Sequence, residues 1–213
     1  MDNFISLDLL FRWLHVLFGV TWIGFLYYFN FVQTEYVKVA SDEGKADVMA
    51  KLAPKALWWF RWGAMLTFLT GFVLLGLVGA RINAYLAMGV LAGTLMFVNV
   101  WAIIWPKQKI MLGLVEGDKA VAGPRAAVAS RTNVLLSAPM LLGMLGSMHG
   151  ASAGLMPLTQ GLSTGLIITL AIIILLEANA IFGKMNGAIN SLVAVIHSSV
   201  ALSLIFVALI QFV

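Results

Sequence analysis

Six stretches of this chain are apolar over about the ~20 residues that a helix needs to cross the hydrocarbon core of a bilayer. They fall near 9–32, 56–79, 83–105, 134–156, 162–182 and 188–213. With 62% of its 213 residues hydrophobic and only 10% charged, the chain carries more apolar surface than a water-soluble core of this size can hide, whereas lipid can solvate helix exteriors. Each crossing has to satisfy its own backbone hydrogen bonds, so helices are the spanning structure. The expectation is an all-α integral membrane bundle of about six transmembrane helices, forming a single transmembrane domain over 1–213 in contact with the lipid bilayer. The absence of cysteine excludes disulfides, iron–sulfur clusters and c-type haem attachment. The start of the chain, MDNFISLDLL, is acidic and runs directly into the first apolar stretch, unlike a cleaved signal peptide.

The connections carry the charge. TEYVKVASDEGKADVMAKLAPKA, between the first two spans, is helix-prone and predicts an amphipathic interfacial helix ending at Pro54. KQKIMLGLVEGDKAVAGPRAAVASR, between the third and fourth, predicts the same with Gly123–Pro124 as a break. Eleven Lys and Arg lie at the odd-numbered connections (Lys38, Lys45, Lys51, Lys55 and Arg61; Lys107, Lys109, Lys119, Arg125 and Arg131; Lys184), against Arg12 and Arg81 on the other side. By the positive-inside bias the odd connections are cytoplasmic and both termini periplasmic, in a multi-pass protein of a bacterial inner membrane. The positive charge is thus explained by topology, and no nucleic acid is expected as a partner.

Three histidines fall within apolar stretches: His15 in RWLHVLFGVTWIG, His149 in LLGMLGSMHGASAGLM and His197 in LVAVIHSSVALS. The orientation puts His15 and His149 in one leaflet and His197 in the other. An imidazole inside a membrane needs a partner, and two at similar depth on facing helices are what six-coordinate haem iron requires. Gly19, four residues after His15, and Gly146, three before His149, would leave room for a flat macrocycle. Phe11, Phe18 and Trp22 share the His15 face, and Arg12 could pair with a propionate. The plainer reading is that each histidine bonds a backbone carbonyl, Gly89 and Gly93 mark close helix packing, the Trp and Tyr residues near helix ends form an aromatic belt, and the methionines are apolar filling. Glu177 and Asn179 read as a snorkelling interfacial pair more readily than as a proton or ion path. No phosphate-binding loop, HExxH or nucleophile elbow is present.

The stretches RWLHVLFGVTWIGFLYYF, LWWFRWGAMLTFLTG, AGTLMFVNVWAIIWPKQK and TNVLLSAPMLLGMLGSMHG resemble, in order and spacing, the membrane domain of bacterial membrane-bound urate hydroxylases, the urate oxidase N-terminal family. The resemblance covers Leu9 to Gly150; the last two helices match only in being apolar. In that family a periplasmic cytochrome c domain follows the membrane domain and is thought to take the electrons of urate oxidation. This chain reaches Val213 without a CxxCH, so the expected acceptor is a separate cytochrome c or a respiratory-complex partner. The resemblance maps family histidines onto His15 and His149. Two others are replaced: the family's LHWFKW reads here with Trp58 at the histidine, and Thr132 precedes Asn133 where the family has histidine. It implies one retained histidine pair, on the outer side. A weaker likeness is to small haem-binding protoporphyrinogen oxidases, which also carry a histidine in helix one.

The sequence therefore leads to a membrane-integral b-type haem protein, with one haem b near the periplasmic face between His15 and His149, mediating electron transfer. A bis-histidine haem has no open coordination site, which suits electron transfer better than oxygen chemistry. The rival readings are a haem-dependent oxidoreductase acting on urate or a porphyrinogen, and a cofactor-free structural subunit of a membrane complex. The charge bias makes a direct prediction. Asp47→Cys and Gly117→Cys are labelled by an impermeant thiol reagent from the cytoplasmic side only, and Ser152→Cys from the outside. Labelling of Asp47→Cys and Ser152→Cys from the same side overturns the orientation.

Overall fold

The computed structural model describes residues 6–213, so the first five residues of the acidic start lie outside it. Six helices are long and apolar enough to span a membrane: α1 (Leu7–Val39), α2 (Asp42–Arg81), α3 (Ala84–Met111), α4 (Lys119–His149), α5 (Thr164–Phe182) and α6 (Leu192–Phe212). Two 3-10 turns lie between α4 and α5, an isolated antiparallel bridge pairs Pro157 of that connection with Asn83 just before α3, and no β-strand forms among the described residues. The outward faces carry large apolar side chains, among them Val20, Phe72, Leu145, Leu175 and Leu204, each more than half exposed. Such faces suit lipid and not water. The chain is an all-helical, multi-pass membrane protein.

The charged connections differ from the sequence expectation. No separate interfacial helix forms between the first two spans. α1 runs on to Val39, a two-residue break follows, and Ser41 caps α2 by accepting from the Gly44 N–H at 3.2 Å. The residues expected to lie on the surface instead lengthen α2 to 40 residues, about 60 Å at 1.5 Å per residue, twice the hydrocarbon thickness. Apolar length fixes the minimum span, while helix-forming Ala, Lys and Glu continue the helix beyond it. The extensions carry ion pairs one turn apart: Lys38 with Glu35, Lys45 with Asp42, and Lys51 with Asp47.

The prolines do not punctuate as expected either. Pro54 lies inside α2 directly after a π turn at Val48–Leu52, and Pro106 inside α3 directly after one at Asn99–Ile104. A proline lacks an N–H and presses on the carbonyl four residues back; the wider π turn relieves both problems without ending the helix. Pro124 falls in the second turn of α4, where the carbonyl it leaves without a partner belongs to solvent-exposed Ala120. The helix therefore passes through Gly123–Pro124, starts at Lys119 instead of near 134, and ends at His149 instead of near 156.

The chain forms two compact units, one of residues up to Val78 with Val100–Ala126, the other of Gly79–Asn99 with Ala127–Val213. In the first, α1 lies along α2. A Cβ on Gly63 would come within 3.0 Å of the Trp22 backbone nitrogen, and Trp22, Leu26, Leu57, Phe60 and Ala64 are buried around that contact. Trp62 packs edge-on against Trp101, and the Arg61 guanidinium stacks 3.3 Å from the Trp105 ring. In the second unit, Gly89 and Gly143 bring α3 and α4 together: a Cβ on Gly89 would stand 3.0 Å from the Met144 nitrogen. Gly89 is the close-packing glycine the sequence suggested, whereas a Cβ on Gly93 would make only ordinary contact with Met140 at 3.6 Å.

The second unit also solves its own proline problem. Pro139 in mid-α4 leaves the Leu135 carbonyl without its helical donor. Ser199 on α6 fills the vacancy, its hydroxyl lying 2.8 Å from the Leu135 oxygen and 3.1 Å from that of Val134, and the Ala138 N–H points back at it from 3.4 Å. Ser199→Ala is expected to cost about 1 kcal/mol of stability, read as a lower unfolding midpoint in detergent. A loss no larger than that of a lipid-facing substitution such as Leu204→Ala would show that Ser199 does not seal the break.

Candidate functional site

His15 sits in the third turn of α1, half-buried against α2. Its Nδ1 lies 2.9 Å from the Thr67 carbonyl oxygen and 3.1 Å from the Thr70 hydroxyl. A carbonyl can only accept, so the bond to Thr67 places the proton on Nδ1 and leaves the lone pair on Nε2. Thr70 is anchored in turn, its hydroxyl 2.7 Å from the Leu66 oxygen. Gly71 makes room for the ring: a Cβ there would come within 3.0 Å of the imidazole Cε1. Thr67, Thr70 and Gly71 form the seat of His15, and sequence reading missed all three. Their signal was present as a T-x-x-T-G run in the second span, but nothing local ties that run to a histidine 52 residues earlier.

The other residues expected around His15 are placed differently. Arg12 pairs with Asp8 of its own helix at 2.7 Å, so the charge expected to meet a propionate already has a carboxylate. Trp22 is 2% exposed in the α1–α2 contact. A Cβ on Gly19 would meet only Thr67 Cγ2, at 3.9 Å, so that position stays open.

His15 belongs to the first unit and His149 to the second. His149 is the last residue of α4, at the very end of that span, and is exposed. Gly146, one turn earlier, is buried, and the Tyr85 ring takes the volume it leaves: a Cβ there would stand 2.6 Å from Tyr85 Cδ1. The Tyr85 hydroxyl accepts from Gln211 Nε2 at 2.8 Å. His197 is exposed on α6 and bonds the Val193 carbonyl of its own helix at 2.8 Å, the plainer of the two histidine readings. Among the described residues no group of three or more His, Cys, Asp or Glu is placed to hold a metal ion.

A second polar constellation lies inside the second unit. Glu177 is 6% exposed, Asn99 1% and Asn133 fully buried. The Asn99 amide donates to Asn133 Oδ1 at 2.9 Å and to Glu177 Oε2 at 3.0 Å, and the Asn133 amide donates to the Met96 carbonyl at 3.0 Å. This corrects the expectation of a snorkelling Glu177–Asn179 pair. Glu177 turns inward, while Asn179 closes the end of α5 by bonding Met185 through both its amide and its oxygen. Two residues along a helix turn by about 200°, so side chains at 177 and 179 cannot share a face.

Comparison with known proteins returns one assignment. The model of the family described as Urate oxidase N-terminal matches residues 78–210. No curated protein and no solved structure matches the chain. The matched segment contains the NVWAIIWPKQK stretch and the α4 stretch through His149, while the RWLH and LWWFRW stretches precede it. It also takes in α5 and nearly all of α6, which corrects the reading that the last two helices resemble the family only in being apolar. With more than half of its length inside that match, the chain belongs to the urate oxidase N-terminal family.

Proposed function

We propose that this member of the family is a membrane-embedded electron-transfer protein that would carry one haem b, with His15 among the residues that would hold it. The observation that carries the reading is the Nδ1 bond of His15 to the Thr67 carbonyl. Histidines that bind metals through Nε2 characteristically hold the other ring nitrogen on a carbonyl or carboxylate, which fixes the tautomer and makes the ligand more basic. Gly71 gives the ring its space, and Thr70 limits its rotation. By the sequence pattern, His149 would be the second residue to hold the group. When bound, haem b supplies a one-electron carrier. The chain's own residues orient the imidazole and keep its Nε2 lone pair available.

The orientation and compartment belong to this proposal too: both termini periplasmic, in a bacterial inner membrane, with a separate cytochrome or respiratory assembly as partner. The charge bias of the connections supports it. Pyridine haemochrome analysis of the purified protein is expected to return one b-type haem per chain with a low-spin spectrum. His15→Ala and, separately, His149→Ala lose the haem or turn it five-coordinate, while His197→Ala leaves the spectrum unchanged. A haem-free protein overturns the reading; a requirement for His197 and not His149 leaves His15 standing and reassigns the second ligand.

Family membership favours one rival, oxidation of urate by this chain itself. Against it stand Trp58 and Thr132 at the two replaced histidine positions. Trp58 is 47% exposed beside Trp59, and Thr132 is buried with its hydroxyl on the Val128 carbonyl at 3.0 Å. Neither side chain can take a proton from a substrate or ligate a metal as an imidazole does. The purified protein is therefore expected not to form 5-hydroxyisourate from urate. Product formation, or reduction of the bound haem by urate, would make the oxidase reading the leading one.

A further inference from the structure

The mechanism above leaves Glu177 unused. It is the only charged residue within α5, it is buried, and it lies five residues before the helix ends at Phe182, about 7–8 Å from that end. Among the described residues its carboxyl has one hydrogen-bond donor, the Asn99 amide. No ion pair among the described residues reaches it. The charged and titratable groups on the surrounding elements are engaged elsewhere or stand outside. Arg131 on α4 donates to the Ile189 and Asn190 carbonyls. His149 stands at the opposite end of α4 and is exposed. His197 on α6 is exposed and bonds Val193, Tyr85 on α3 is held by Gln211, and Lys184 beyond α5 is exposed.

Two further observations mark the place as more than interhelical glue. The Asn99 Oδ1 is buried and finds no hydrogen-bond partner among the described residues, in a residue only 1% exposed. Asn99 also opens the π turn Asn99–Ile104, and such turns recur at functional sites because they re-aim side chains that a regular helix would hold in line. A carboxylate enclosed in protein and lipid with no cation beside it is costly, and a bound proton removes that charge.

We propose that Glu177 is an intramembrane proton-binding site: its carboxylate takes one proton from water at the membrane face nearest the end of α5 and returns it there, with Asn99 donating to the carboxylate form. The single covalent change is the making and breaking of one O–H bond, with no electron transferred, and the inference does not depend on the haem. A plain hydrogen-bonded brace predicts instead a carboxyl that never changes state.

Two measurements on the full chain in liposomes decide it. Infrared difference spectra across pH are expected to show a carboxylic-acid C=O band that appears and disappears reversibly and is missing from Glu177→Gln. Dicyclohexylcarbodiimide, which enters the bilayer and attacks the acid form of a carboxyl, is expected to label Glu177 in the wild-type protein, as mapped by mass spectrometry, equally with and without sodium. The labelling arm needs no variant, so misfolding of Glu177→Gln would not remove the test. A Glu177 that is unlabelled and spectroscopically constant in folded protein overturns the proposal. Protection by sodium overturns it in favour of a cation site.

Discussion

In lipid a backbone carbonyl without a donor has no water to turn to, and that constraint governs how this chain can be built. It is most severe at proline, and four of the five prolines lie within helices: Pro54, Pro106, Pro124 and Pro139. Each is accommodated by a local device. π turns precede Pro54 and Pro106, the carbonyl opposite Pro124 belongs to exposed Ala120, and the Ser199 hydroxyl serves the Leu135 carbonyl freed by Pro139. The last device ties α6 to α4 by chemistry instead of shape. This matters in a bilayer because apolar surfaces gain little by leaving lipid for one another. The same economy governs the glycines at 63, 89 and 143, where close backbone approach replaces the missing hydrophobic drive.

The number and rough place of the spans were legible in the sequence because apolar length is a bulk property that no tertiary contact overrides. Helix ends were not legible, because they depend on caps and on the chain's response to proline. Ser41 starts a helix where a surface segment was expected, and Gly123–Pro124 fails to stop one. Local signals of turn and break are calibrated on water, where a broken helix finds immediate solvation. Beside a membrane, continuing the helix is the cheaper course.

At the candidate site the sequence picked out His15 but not what holds it. Thr67, Thr70 and Gly71 are ordinary members of an apolar helix until α1 is laid against it. Gly146 illustrates the converse: a glycine near a histidine suggests space for a ligand, yet the nearest large side chain in the fold, Tyr85, claims that space. Glu177 was legible as a charge in an apolar run, but which way it faced depended on Asn99, two helices earlier, and Asn133, on the preceding helix. Burial and pairing are tertiary properties, and single-sequence reading has access to neither.

The π turns carry one more consequence, for side-chain phase. A π turn holds one residue more than the α turn it replaces, so everything beyond it is rotated by about 100° relative to an unbroken helix. In α2 the turn at Val48–Leu52 separates the charged rows around Asp42, Lys45 and Asp47 from the apolar face that begins at Ala53, Ala56 and Leu57. A helical wheel drawn through all 40 residues would therefore misalign one half with the other. The outer and inner parts of a single rod are cut to separate phases: each can present the face its own surroundings require, and the joint between them sits where the charged extension gives way to the span.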